Sequence, residues 1–476
     1  MSVLNSSFAP ISRAGFVAGR TKAQVAVVLA ATAVAVVPLA FGVSIWSWRV
    51  VVCLVVAVFG AWNVHGRSLI GLLAVKLGFG MRKATGKTHW TVSPWAVNQV
   101  VGVIDLPDAT GKRLRTFDIV GTEFDSAAFL WDKDNSEATA ILQLHALDWL
   151  VQSDGVREGR VAGWSQALKS CADMPDVSRI VTQARVFYQL NNFGLNAEGN
   201  DFVLQDLAEA ASDMRISCGH DVIVSITIDT SKTRGDSMKD TGTVAGVSRI
   251  LSDRVQSLVS LLEYSGADLD DVRWLDAQQL RGQMKCMFSP EAISLLDEYG
   301  GLPDDVALST SWDEYRDYMH VDAMYLRTMW VDKWPSDPVP AGWLHDLVSN
   351  GRWPLVLTQV WHPLPLEKAE HKLNNQLMEL ERRDKINKKL GRPTSERDRS
   401  EALETVNRRK ELAKGYGDVE YLGYVTVGAP TLDLLEQATN WVDSEFRQRS
   451  AHLDRLRASQ WSGLITALPL GQAGRK

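Results

Sequence analysis

From Ala23 to Trp62 the chain carries one Lys, Arg, Asp or Glu residue, Arg49. The stretch reads VAVVLAATAVAVVPLAFGVS, a short IWSWR break, then VVVCLVVAVFGAW. A bilayer core about 30 Å thick takes roughly 20 apolar residues in helix to cross. Two crossings joined by a tight turn fit this run. Pro38 falls late in the first crossing, where a membrane helix tolerates it. Trp46, Trp48 and Trp62 fall where interfacial aromatic belts lie. A cleaved signal peptide has an apolar region of only about 7–15 residues, and here the run is longer and restarts after Arg49. A buried soluble hairpin is the competing reading, but soluble helices rarely stay apolar all round for this length. The expectation is a transmembrane hairpin over residues 23–62, after an N-terminal segment of residues 1–22.

The flanks set its orientation. Residues 1–22 carry Arg13, Arg20 and Lys22 and no acid; residues 63–88 carry Arg67, Lys76, Arg82, Lys83 and Lys87 and no acid. Positive flanks stay cytoplasmic, so the expected location is the inner (plasma) membrane, multi-pass, with both termini in the cytoplasm. Residues 63–88 read as a basic juxtamembrane segment. Within it SLIGLLAVKLGF (68–79) has the pattern of an interfacial helix on anionic membrane lipid, or of a connector packed on the soluble domain.

The first carboxylate in the chain is Asp105, and all 57 Asp and Glu follow the basic amino-terminal region. The net charge of −6 therefore conceals an acidic bulk of about −15 over residues 89–476. Such a segment is a poor general phosphate binder, because nucleic-acid affinity rests on cation-to-phosphate contacts. It suits a domain that docks other proteins. Cys53, Cys171, Cys218 and Cys286 share no metal-binding spacing and fit reduced, buried thiols.

Beyond residue 89, strand and helix patterns alternate. WAVNQVVGVIDL (95–106), RLRTFDIVG (113–121), AAFLWD (127–132) and ATAILQLHAL (138–147) read as strands. A helix over 156–173, a strand over 178–189, a helix over 202–219 and a strand over 220–229 follow. This first α+β subdomain spans 89–240, a helical region 241–315 and a second α+β subdomain 316–476. In the last, strands are expected at 318–335, 353–365, 417–430 and 462–471, a short helix at 339–350 and a long one at 431–457. Residues 366–414 are helix formers broken by GRPTS (391–395), and Pro393 is tolerated at a helix start but not inside one. They read as an inserted helical hairpin. The expected fold class is a membrane-anchored α+β protein: the transmembrane hairpin, then ferredoxin-like α/β sandwich halves. The halves agree in pattern only; no sequence repeat links them.

MWVDKWPSDPVPAGWLHDLV (329–348), VLTQVWHPLPLEKAEHKL (356–373), the charged hairpin, GYVTVGAP (423–430) and ALPLG (467–471) resemble the amino-terminal, non-ATPase region of the type IV secretion conjugation ATPase. Over nearly its full length the chain is similar to an actinobacterial family of conjugative-element integral membrane proteins, some of them labelled type VII secretion components. The G-x-x-x-x-G-K-[ST] cradle that nucleotide chemistry of that motor requires is missing from the sequence. The resemblance implies the docking and assembly part without the motor.

No catalytic arrangement stands out: there is no G-x-S-x-G elbow and no H-E-x-x-H. His362 and His371 lack ligand spacing. Asp132, Asp134 and Glu137, like Asp268, Asp270 and Asp271, read as acidic turns rather than cation sites. No cofactor, metal or catalytic residue is expected. The hairpin tip is the exception to the acidic balance: Arg382, Arg383, Lys385, Lys388, Lys389, Arg392, Arg397 and Arg399 face only Asp384, Glu396 and Asp398. Besides a solvated, salt-bridged face, it reads as a prong for an acidic partner surface or for DNA. Trp334 and Trp343, beside prolines, are candidate exposed anchors. The expected function is a non-catalytic inner-membrane subunit of a conjugative secretion apparatus. Its partners would be the secretion ATPase, other secretion subunits and copies of itself. The alternatives are a membrane-anchored protein guiding DNA, a type VII component, and a tethered hydrolase without a recognised motif.

Overall fold

The computed structural model describes residues 22–40, 63–64, 67–92, 102–124, 126–145, 153–190, 216–233, 241–264, 272–293, 299–335, 339–340, 342–389, 402–403, 405–406, 408–410 and 418–474, with single positions between them. The chain divides into two compact units. One comprises Met1–Phe8, Lys87–Ala369 and Gly415–Lys476; the other comprises Ala9–Gly86 and Glu370–Lys414.

The first unit is built on one antiparallel sheet of 13 strands among the described residues. In chain order they are β3 (His89–Thr91), β4 (Leu114–Asp118), β5 (Ala128–Asp132), β6 (Glu137–His145), β7 (Val177–Leu190), β8 (Ile216–Asp229), β9 (Arg273–Trp274), β10 (Ser311–Glu314), β11 (Met319–Val321), β12 (Met324–Lys333), β13 (Leu355–Leu364), β14 (Asp418–Ala429) and β15 (His452–Arg455); the two-residue strands β1 (Asn63–Val64) and β2 (Arg67–Ser68) belong to the other unit. The helices, also in chain order, are α1 (Lys22–Ala40), α2 (Leu69–Ala84), α3 (Asp108–Arg113), α4 (Asp154–Ala172), α5 (Val244–Tyr264), α6 (Ala277–Lys285), α7 (His345–Val348), α8 (Leu366–Lys389), α9 (Leu432–Gln448) and α10 (Gln460–Ala467).

The sheet holds an internal duplication. β6-α4-β7-β8-α5-β9 has the spatial order β9-β6-β8-β7, and β12-α7-β13-β14-α9-β15 has the order β15-β12-β14-β13. Among the described residues each is a β-α-β-β-α-β run, the second with α8 inserted between β13 and β14, and each is preceded by a two-strand wing, β4–β5 or β10–β11. The halves join where β7 pairs antiparallel with β13, from Val186↔Leu355 to Ile180↔Trp361. A threonine pair marks the same place in both. Thr139 and Thr227, partners across β6 and β8, hydrogen-bond at 2.9 Å; Thr328 and Thr426, across β12 and β14, do so at 2.8 Å.

Side chains alternate across the sheet. One face carries Ile180, Ala184, Val186, Leu355 and Leu357 into cores roofed by helices. α5 presents Val247, Ile250, Leu251, Val255, Leu258 and Leu262, all buried, at helical spacing. α9 presents Leu435, Ala438, Val442 and Phe446, and is capped by the Thr431 side chain, which accepts from the Leu434 amide. Burying each large apolar side chain contributes about 1.5–3 kcal/mol. The other face is polar at the seam and is crossed by α10 and the extended segment after it. Gln183 donates to the carbonyls of Thr466 (2.7 Å) and Leu468 (2.9 Å), Thr358 donates to Thr466 (3.0 Å), and Arg179 donates to Gly471 (2.5 Å). Gly471 turns with φ +60°, and a Cβ there would stand 2.6 Å from a Thr139 methyl.

Four expectations are corrected. Among the described residues no helix is long and apolar enough to cross a membrane, which overturns the transmembrane hairpin over 23–62 and the multi-pass inner-membrane placement. Lys22 and Gln24 occupy the first turn of α1, and Gln24 is buried. The apolar part, Val25 to Ala40, spans only about 24 Å at about 1.5 Å per residue. Most of residues 41–62 lies outside the described residues. The fold class is corrected with it: the α+β part is one continuous sheet rather than separate sandwiches. Residues 462–471 are not a strand but most of α10 and its extended continuation, and a short apolar run does not distinguish the two by pattern. Finally, 431–457 is α9 followed by β15, a polar strand recruited by pairing with β12.

Candidate docking surfaces

α8 follows Pro365, and its exposed residues include Arg382, Lys385, Lys388 and Lys389. At 100° per residue these four fall on one side of the helix. Lys388 bridges Asp384 one turn back at 2.6 Å; an exposed pair of this kind contributes only about 0.3–0.5 kcal/mol. Arg383 lies in the same helix, while Arg392 and Arg397 lie outside the described residues. The described part is thus a one-sided, net-positive face in which exposed Glu381 lies among the four cations.

Trp334 is not presented at the surface. It is 5 % exposed, 5.2 Å from the Tyr421 ring and 6.2 Å from Trp343, with which it forms an edge-to-face pair. The space for it comes from Gly423 on β14, where a Cβ would stand 2.6 Å from the Trp334 ring. Trp343 is half-buried and meets Phe446 of α9 edge-on at 6.3 Å. Trp334 is therefore corrected from an exposed anchor to packing between the β12–β13 connection and the second core, and Trp343 packs beside it half-buried. The flanking prolines suggested exposure, but the glycine that receives the ring is about 90 residues away in sequence.

The acidic turns are engaged internally. Asp132 accepts from the Asn135 side chain at 2.8 Å and pairs with Arg113 at 2.6 Å; Glu137 is gripped by both terminal nitrogens of Arg179 at 2.8 and 2.7 Å. Asp268, Asp270 and Asp271 lie outside the described residues. His362 meets the Ser178 carbonyl at 3.3 Å, and His371 meets Asn375 at 3.0 Å. Among the described residues no group of three or more His, Cys, Asp or Glu is placed to hold a metal. Burial pushes the Cys171 thiol up to about 12 despite nearby Arg254, and burial also raises Cys218. Neither thiol is poised as a nucleophile at neutral pH.

Sequence reasoning missed the buried ion pair beside the seam. Arg185, 3 % exposed, donates from two nitrogens to the two oxygens of Asp221 at 2.7 and 2.6 Å. Gln143 completes Asp221 at 3.0 Å, and the Gln283 side chain also accepts from Arg185. The Asp221 carboxylate, outweighing burial, raises the arginine above its ordinary range and keeps it charged. Next to the pair is a cavity of about 30 Å³ lined by Arg185, Tyr188, Gln283, Cys286, Met324 and Val356 among others. It has room for about one or two waters, where a pocket for an organic ligand needs some 300 Å³ or more. No local sequence signal links residues 185 and 221; only their opposed places on β7 and β8 do.

Comparison with known proteins gives no matching family model and no matching curated protein.

Proposed function

We propose that this chain is a non-catalytic docking subunit of a conjugative secretion apparatus that engages the apparatus's motor ATPase. What carries the reading is convergence. The segments resembling the non-ATPase region of the conjugation ATPase are dispersed between residues 329 and 471, yet 329–333, 423–429 and 356–364 lie on the adjacent strands β12, β14 and β13. Leu468 and Leu470 of the ALPLG segment share a core with Val356 of β13. A resemblance spread at random over a sequence has no reason to assemble into one patch of packed structure. The net-positive face of α8 supplies a contact for an acidic surface, favouring fast and oriented encounter.

The test is retention of the purified chain on the immobilised motor ATPase of its own conjugative element at low and high salt. Retention that survives high salt and weakens when Arg382, Lys385, Lys388 and Lys389 are all changed to Glu is the expected result. Steeply salt-dependent capture by duplex DNA with no ATPase retention would instead identify the prong as a nucleic-acid contact.

A further inference from the structure

The two wings differ in one respect that bears on binding. In the first, Phe117 of β4 and Trp131 of β5 meet edge-to-face at 5.5 Å, and the turn after β5 lays the Lys133 ammonium over both rings, 4.4 Å from Trp131 and 5.4 Å from Phe117. The wing thus supplies its own cation–π contact. In the second wing the corresponding turn shortens to Asp322 and Ala323 between β11 and β12, and it carries no cation. The rings are nevertheless there. His320 stacks on Tyr325 at 4.3 Å, Tyr325 lies 6.0 Å from Tyr318, and Tyr318 stacks on Tyr315 at 4.6 Å. The residues alternating with them, Trp312, Met319 and Val321, are buried on the opposite face. Tyr315 is 45 % exposed.

The charges around these rings are accounted for. Asp313 pairs with His89, and Asp317 is 37 % exposed beside Arg327. Arg327 lies beneath, 2 % exposed and bound to Glu436. Arg316 is exposed at the tip of the β10–β11 turn. Burial, then Tyr315, Asp317 and Tyr325, hold the Tyr318 hydroxyl above its ordinary range against the opposing effect of Arg327. A chain of π-faces favours a cation, and the sister wing shows what such a surface carries when the chain fills it.

We propose that the aromatic face of the second wing, Tyr315–Tyr318–Tyr325–His320, docks an arginine-bearing segment of a protein partner, the guanidinium taking the place over the rings that Lys133 takes in the first wing. Arginine is preferred over lysine because its planar, weakly hydrated head stacks on aromatic faces as well as attracting them electrostatically. This inference does not depend on the secretion reading.

The experiment is fluorescence anisotropy of labelled tetra-arginine, tetra-lysine and tetra-glutamate peptides with the full chain. Tetra-arginine should bind more tightly than tetra-lysine, and tetra-glutamate should not bind. Tyr315→Ala should weaken arginine binding about two- to fivefold, the span expected for losing one exposed cation–π contact. Tyr315→Phe, which keeps the π-face, should retain it. Asp118→Asn on β4 controls for the general attraction of an acidic protein, and Asp313→Asn tests the margin without touching the core. Equal affinity in wild type and Tyr315→Ala would overturn the proposal. So would equal weakening by Asp118→Asn and Asp313→Asn, or the same affinity for arginine and lysine peptides.

Discussion

The half from Leu114 to Trp274 and the half from Ser311 to Arg455 share a strand order and a threonine pair, yet place their buried charges differently. In the first half Arg179 and Arg185 lie on the seam face and bind acids of other strands, Glu137 on β6 beyond β8 and Asp221 on the adjacent β8. In the second half Arg327 lies on the helix-covered face and binds Glu436 of α9, with Thr439 at 3.1 Å and the Asp317 carbonyl at 3.0 Å. The backbone pattern is thus what repeats, and the polar interior is particular to each half. A strand order can be held by apolar alternation alone, whereas a buried ion has to be matched locally.

The sharpest way to break the comparison is to orphan one arginine in each half. Asp221→Ala leaves Arg185 buried without its carboxylate and should cost about 3–5 kcal/mol. Glu436→Ala, removing a half-exposed partner from an arginine that keeps Thr439 and Asp317, should cost only about 1 kcal/mol. Denaturant midpoints of the two variants read the difference directly; equal losses would mean that the two sites are buried alike. Next comes Gly423→Ala. Three residues before the marker threonine, the first half has Val224 and the second has Gly423, the gap that Trp334 enters. The added methyl should cost about 1–3 kcal/mol by displacing the ring, with a change in near-ultraviolet circular dichroism.

A smaller effect distinguishes the two wing turns by pH. Asp322 adopts φ +48° and accepts from Lys285 at 3.0 Å, from the Thr310 amide and hydroxyl at 2.8 Å each, and from Ser309 at 2.9 Å. Burial alone would raise its pKa, but Lys285 and Thr310 outweigh burial and hold it below the ordinary carboxylate range. A depressed folded pKa gives stability that is present above the unfolded value, about 4, and lost as pH falls through the folded value. Asp322→Asn should therefore cost about 1–2 kcal/mol at neutral pH, and the difference from wild type should shrink in acid. The smallest effect belongs to Lys133→Ala, which removes the cation from the first wing at about 0.5–1 kcal/mol, read as a small fall in thermal midpoint.

Much of the strand pattern was legible. The alternation of Ile180, Thr182, Ala184 and Val186 gave β7, and Thr431 marked the start of α9. What was not legible depends on partners distant in sequence. HLDR at 452–455 has no strand signature and becomes β15 only because Met329 to Lys333 of β12 offer it a ladder. The apolar run after Ala23 satisfied a length rule for membranes, but the rule does not register that α1 opens with Lys22 and the buried Gln24 in its first turn. Of the proposed prong, the charge was legible and so was the helix. The aromatic wing was not, because Tyr315, Tyr318, His320 and Tyr325 become neighbours only once β10, β11 and β12 fold back on one another.

The β7–β13 ladder has a mechanical consequence. Tension applied along the strands loads its hydrogen bonds together in shear, while tension applied across the sheet opens them one after another from an end. Bracing by Gln183 and Thr358, both fastened to the carbonyl of Thr466, stiffens the middle of that ladder and makes the first breakage fall at its ends. A body built this way resists pulling in one direction far more than in the other.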